Sequence, residues 1–311
     1  MDHLVEFALF IAGLIFGSFL NVCITRIPRD ESIVRPPSHC RNCGAPVRWF
    51  DNIPVFSYLL LGSRCRACGA HISLRYPAVE LLTGIVFAAC YACYGTNWLT
   101  LKFSILSFLL IGLIFMDAET GLLVHEFTYP GIILGLAFGW IAPVDPSGTW
   151  FLLLLFQSSI ASPRALSLLD SVVGALFGAG FLYAVWALYY LVRKRHGLGF
   201  GDMALMAMSG AFLGLKLAAI VVVCAPIVTL IYILGMLAVN LLHPARSRSR
   251  SVMAAQVEAE RQQSASELDV APSDQRPFLQ REIPFGVFLG ACSLAAIFSG
   301  EAAWRWYISR F

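Results

Sequence analysis

Charge is what this chain has little of. Its 311 residues carry 22 Lys and Arg and 19 Asp and Glu, so only 13% are charged, about half the fraction usual in soluble domains. With 58% apolar residues and a mean hydropathy of +0.73, this excludes a soluble enzyme on a single anchor. It points to an α-helical protein that crosses a membrane several times. Several chemistries lack their signatures as well: there is no GxSxG, no HExxH, no P-loop and no dinucleotide fingerprint. The first apolar stretch has Asp2 and Glu6 where a signal peptide has a basic region. It also lacks a small-residue cleavage site, so a retained helix is expected.

Long apolar runs are plentiful. They predict about eight spans, near 4–25, 77–95, 98–116, 129–144, 168–192, 203–215, 217–242 and 284–308. The 203–215 run is short for about 30 Å of hydrocarbon. The 151–160 run is shorter still and reads as an interfacial or lid segment. Basic residues cluster in alternate loops. Arg26, Arg29, Arg35, Arg41, Arg48, Arg64, Arg66 and Arg75 follow the first span. Arg193, Lys194 and Arg195 follow the fifth, and Arg246, Arg248 and Arg250 the seventh. These loops are expected in the cytoplasm, with both termini outside. His196 belongs to the same basic cluster. The organisation expected is a first helix over 1–26, a cytoplasmic loop domain over 27–76, a membrane core over 77–242, a polar linker over 243–283 and a last helix over 284–311. The linker's RSRSRS run, Ser, Gln and Pro residues predict disorder.

Nine cysteines could indicate an oxidised scaffold, but the hydropathy argues against it. Four of them form two CxxC pairs, Cys40/Cys43 and Cys65/Cys68, each followed by a glycine. Four thiolates in a reducing cytoplasmic loop suit a closed, structural tetrahedral zinc site. The nearby arginines also allow a nucleic-acid reading, but topology accounts for them, and no nucleic acid is expected. Cys90 and Cys93 form a third CxxC inside a span, where helix packing is the simpler explanation. Cys23, Cys224 and Cys292 read as packing residues.

Two aspartates interrupt the apolar pattern. Asp117 ends one run and Asp202 opens another within Gly199-Phe200-Gly201-Asp202. A carboxylate at a membrane boundary is costly unless paired, hydrated or used. The third span runs inward and the sixth outward, so both aspartates are expected at the cytoplasmic face. A facing pair has the chemistry of an aspartyl protease. One ionised carboxylate takes a proton from water, and its neutral partner donates to the scissile carbonyl. The plainer reading makes Asp202 a helix N-cap. It fails for Asp117, which sits where the helix dipole disfavours an anion. A transporter with a carboxylate proton relay fits the aspartates alone. Glu80 reads equally as an acid in a first helical turn or as a site residue. His125 and Glu126 are further candidates for substrate contact.

The ordered blocks around these residues resemble the type IV prepilin peptidase family. They comprise Gly17 to Val22 with Arg26-Ile27-Pro28, Pro36-Pro37-Ser38, Asp51 to Leu59, Ile72 to Pro77 and Glu80 to Gly84. Asp117 to Thr120, Thr128 with Pro130, Gly199 to Asp202 and Ile283 to Gly286 complete the set. The resemblance implies a bacterial inner-membrane aspartic endopeptidase whose catalytic pair matches Asp117 and Asp202. It implies prepilin or pseudopilin substrates, cut after a glycine at the cytoplasmic face. In members with the tetracysteine loop it also implies methylation of the new N-terminus by S-adenosylmethionine. Three features depart from the family pattern: Val124-His125 where Pro-Asp is common, Ala204 where Lys is common, and a longer linker. They leave a non-enzymatic assembly factor of a pilus or secretion system as the alternative. An imidazole at position 125 is expected to make activity fall as it protonates; a pH–rate profile unchanged by His125→Gln would exclude this.

Overall fold

A computed structural model describes residues 2–143, 162–194, 199–242 and 284–308. The 151–160 segment, His196 and the whole of the expected linker lie outside the described residues. Eight α-helices are described: α1 (Asp2–Arg26), α2 (Phe56–Leu60), α3 (Arg75–Tyr94), α4 (Trp98–Thr120), α5 (His125–Ile141), α6 (Pro163–Arg193), α7 (Phe200–Leu242) and α8 (Phe285–Ile308). Among the described residues, α1, α3, α4, α6 and α7 are long and apolar enough to cross a bilayer. The 17-residue α5 and the apolar Phe285–Gly300 part of α8 are shorter. Two compact units divide the chain, Met1–Cys224 with Pro284–Phe311, and Ala225–Ile283. In the second, residues 225–242 are helical, and Thr229 Oγ1 donates to the Ala225 carbonyl.

The helices of the first unit pack through small residues, as helices without a hydrophobic driving force between them must. Gly13 and Gly17 lie one turn apart on α1, against the α3 backbone. A β-carbon at Gly13 would come 2.7 Å from Gly84 Cα, and one at Gly17 2.6 Å from Glu80 Cα. Gly178 on α6 presses the same way against the Met206 carbonyl. The central helix is α4, which packs against α1, α3, α5 and α8. Its Leu106, Leu110, Ile111, Leu113 and Met116 are fully enclosed.

The expected spans 203–215 and 217–242 are two helical stretches of α7 that meet at a break. Gly214 adopts φ 77° and ψ 177° inside α7, a conformation open to glycine and strained for other residues. The break frees the Leu215 amide, which donates to Asp170 Oδ1 on α6 at 3.1 Å. A side chain at 214 would run into the same carboxylate. Lys102, only 1% exposed on α4, and Lys216 lie within electrostatic reach of Asp170. Charges this deep are tolerated only with an opposite charge within reach.

Removing one of two opposite buried charges leaves the other uncompensated. Asp170→Ala is therefore expected to lower the melting temperature of the detergent-solubilised protein sharply. Adding Lys102→Met should recover part of the loss, and equal melting curves for the single and double variants would contradict the pairing.

Candidate functional site

One end of the first unit gathers the end of α1, the start of α3, the end of α4 and the starts of α5, α7 and α8. Arg75 at the start of α3 pairs with Glu119 at the end of α4 and reaches Thr25 Oγ1 at 3.3 Å. Leu123, in the turn between α4 and α5, is the wedge. Its side chain fills the space a β-carbon would need at Gly201 on α7 (2.6 Å) and at Gly286 on α8 (2.8 Å).

Asp117 and Asp202 flank this wedge. Asp117 is 5% exposed and Asp202 8%. Asp117 Oδ2 accepts the Val287 amide at 2.9 Å, one of the unpaired amides in the first turn of α8. The positive end of the α8 dipole therefore faces a carboxylate that the end of its own helix disfavours. Gly286 must stay small there, because a β-carbon would sit 2.8 Å from Asp117 Oδ2. Asp202 lies in the first turn of α7, with the Gly199 amide directed at its carboxylate. The two aspartates are close enough for the charge of Asp117 to act on Asp202. Leu123, Gly286 and Val287 were not singled out as site residues from the sequence. Its one signal for them was the Ile283-Pro284-Phe285-Gly286 block.

His125 and Glu126 do not join the pair. Both are exposed at the start of α5, and the His125 ring stacks on Tyr129 at 4.8 Å. Val124 precedes α5 with φ −78°, a value that suits proline equally. Glu80 is buried, and its Oε2 accepts the Val55 amide from the loop at 2.7 Å. It thus ties the loop to α3.

The loop between α1 and α3 brings Cys40, Cys43, Cys65 and Cys68 together, with their Sγ atoms within 4.8 Å of one another. Two near-identical knuckles do this. The Cys40 amide donates to the Ala45 carbonyl and the Gly44 amide to the Cys40 carbonyl. The Cys65 amide donates to Ala70 and the Gly69 amide to Cys65, at 2.8–2.9 Å throughout. Gly44 and Gly69 both have φ 71°, which turns each chain back around its sulfurs. The backbone amide of Ala70, then the Asn42 side chain, pull the Cys68 thiol down to about 6. The amides of Cys43 and Asn42 lower Cys40. The Ala45 amide acts in the same direction on Cys43, but neighbouring Cys68 and Cys40 outweigh it and push that thiol up to about 11. Four sulfurs this close resist collective ionisation, and a soft tetrahedral cation removes that conflict. A bidentate Arg66–Asp51 pair, at 2.9 and 2.7 Å, braces the second knuckle.

The model of the Bacterial Peptidase A24 N-terminal domain matches residues 11–94, and that of the Type IV leader peptidase family matches 103–234. A Prepilin leader peptidase/N-methyltransferase of Myxococcus xanthus (strain DK1622) is 40% identical over 205 residues, covering 66% of this chain and 55% of the relative. Its namesake in Neisseria gonorrhoeae is 34% identical, covering 71% and 78%, and that of Aeromonas hydrophila is 29% identical, covering 97% and 93%. No solved structure matches the chain.

Metal binding to thiols displaces protons, so bound metal is expected to fall as pH is lowered through the range in which Cys68 takes up its proton. Elemental analysis of the full-length protein across pH 7 to 4 checks this. Cys68→Ser should lose most of the metal at pH 7, and a metal content indifferent to both changes would contradict the site.

Proposed function

The chain belongs to the type IV leader peptidase family, and on that premise we propose that it is a prepilin leader peptidase that also N-methylates its product. The observation that carries this reading is the buried Asp117–Asp202 pair at the end of the helical bundle where the cysteine loop is anchored. Substrates are prepilins or pseudopilins in a bacterial inner membrane, cut after a glycine at the cytoplasmic face.

Two close carboxylates share one proton more readily than they carry two charges. The ionised member removes a proton from water as that water attacks the scissile carbonyl. The neutral member donates to the carbonyl oxygen. Collapse of the tetrahedral intermediate breaks the C–N bond, and the departing amine takes up a proton. Acid and base roles belong to the pair, without fixed assignment. The Val287 and Gly286 amides hold Asp117 in place by donating to its carboxylate. Leu123 packs against Gly201 and Gly286 beside the pair.

Cys40, Cys43, Cys65 and Cys68 would hold a structural zinc ion, because four thiolates leave no open position for a substrate. S-adenosylmethionine supplies an electrophilic methyl group. When bound, it would supply that group to the new N-terminal amine.

Asp117→Asn and Asp202→Asn are each expected to insert normally and to cut a co-expressed prepilin at least on the order of 10³ times more slowly. Full leader removal by either variant would refute the mechanism. Mass spectrometry of the mature N-terminus with a labelled methyl donor tests the second activity, and an unmethylated product would contradict it.

A further inference from the structure

The junction between α1 and the cysteine loop forms an open cavity of about 470 Å³, within the size range of small-molecule and cofactor sites. Its walls include Ser18, Phe19 and Arg26 from α1, with Pro37, Ser38 and Asn52 from the loop. A second cavity of about 90 Å³ shares Asn52 and includes Tyr58, Tyr76 and Glu80. Ser18 lines the first cavity and hydrogen-bonds the carboxylate of Glu80, which lines the second. The two spaces therefore meet at a polar partition.

Arg26 is the charged residue of the larger cavity and is only 8% exposed. Its Nη1 donates to the Ser32 carbonyl at 2.9 Å and its Nη2 to the Pro37 carbonyl at 3.3 Å. A guanidinium has five N–H donors. Among the described residues no carboxylate forms an ion pair with Arg26. A buried cation satisfied only by neutral carbonyls is a ready receptor for a carboxylate, which it can grip with two parallel hydrogen bonds.

The partition also carries strain. Val55 has φ 62° and ψ −49°, and the Phe56 amide donates to the Pro54 carbonyl at 2.6 Å. This is a γ-turn of the rare, strained hand, centred on a β-branched residue for which positive φ is a genuine outlier. The Val55 amide is held by buried Glu80. Strain of this kind persists where the surroundings enforce it, and it clusters at ligand sites.

We propose that this junction binds the methyl donor, S-adenosylmethionine, with Arg26 taking its α-carboxylate. The proposal rests on the methyltransferase reading above. The charge order favours this ligand. A cation without an acidic partner lines one space and a buried carboxylate lines the next, which suits a molecule carrying a carboxylate and a sulfonium. Phe19 and Pro37 offer flat apolar surface for a purine, and the Asn52 amide can both donate to and accept from its edge. A phospholipid headgroup would use Arg26, but it needs neither the Glu80 partition nor the strained turn.

The test uses the full chain in nanodiscs. Affinity for tritiated S-adenosylmethionine is measured by equilibrium dialysis, and ultraviolet cross-links are mapped to peptides. Label is expected in segments 15–38 and 49–58. Arg26→Gln should weaken binding about tenfold or more, the loss expected for one charge-assisted contact, and Arg26→Lys should recover part of it. Ile33→Trp, at a partly exposed position in the cavity wall, should block binding with Arg26 intact. Unchanged melting curves would exclude unfolding as the cause. Label confined to other segments, or undiminished binding in both Arg26→Gln and Ile33→Trp, would overturn the site and leave methyl transfer standing. Wild-type protein that cuts its leader yet binds no donor would overturn the site and the methyltransferase reading together. Loss of a co-purifying anionic phospholipid on Arg26→Gln, with donor affinity unchanged, would assign the cavity to lipid and overturn the proposal.

Discussion

A carboxyl group buried at the end of an apolar bundle has to be given polar company, and Asp117 finds it in the first turn of α8. The arrangement answers two difficulties at once. The first amides of α8 have no partners within their own helix. Asp117, at the end of α4, faces a dipole that disfavours its charge. Joining the two ends makes one acceptable environment from two poor ones. It also brings helices 170 residues apart in sequence into contact at one hydrogen bond. The geometry of the second aspartate follows from the same region, because Leu123 packs against both Gly201 and Gly286.

A similar economy governs the loop. Its knuckles present four sulfurs that cannot all ionise comfortably without a cation, so a bound cation would stabilise the fold. The loop is then tied to the bundle by few but buried contacts. Glu80 holds the Val55 amide, Arg26 holds the Ser32 and Pro37 carbonyls, and Asn21 Nδ2 reaches the Tyr76 carbonyl at 2.9 Å. Anchors on α1 and α3 place the loop at the same end as the paired aspartates, since Arg75 at the foot of α3 pairs with Glu119, two residues beyond Asp117. Cleavage and modification of one peptide N-terminus require this kind of proximity.

Much of this was legible in the sequence, because hydropathy and rare charges are strong signals. The cysteine spacing announced a shared site, and the runs ending at Asp117 and opening at Asp202 announced a pair. What stayed hidden has specific causes. The two expected spans meet at the break in α7, but hydropathy is blind to the φ angle at Gly214 that makes it. Asp170 and Lys102 sit within apolar runs and carried the same intramembrane-charge signal as the two aspartates. That signal was not followed for them, and they lie within electrostatic reach of each other. His125 is near Asp117 in sequence but stacks on Tyr129, because the first two residues of α5 are exposed. The wedge of Leu123 could not be read at all, since a leucine in a turn has no distinctive pattern.

The central claim is that Asp117 and Asp202 act as one titrating unit holding a single proton. Infrared difference spectroscopy of the carboxyl stretch, across a pH titration of the full-length protein, tests it most directly. One protonated carboxyl band should be present near neutral pH in the wild type and should disappear in both Asp117→Asn and Asp202→Asn. A band that survives either substitution unchanged would show that the two carboxylates titrate independently, and the paired mechanism would fail.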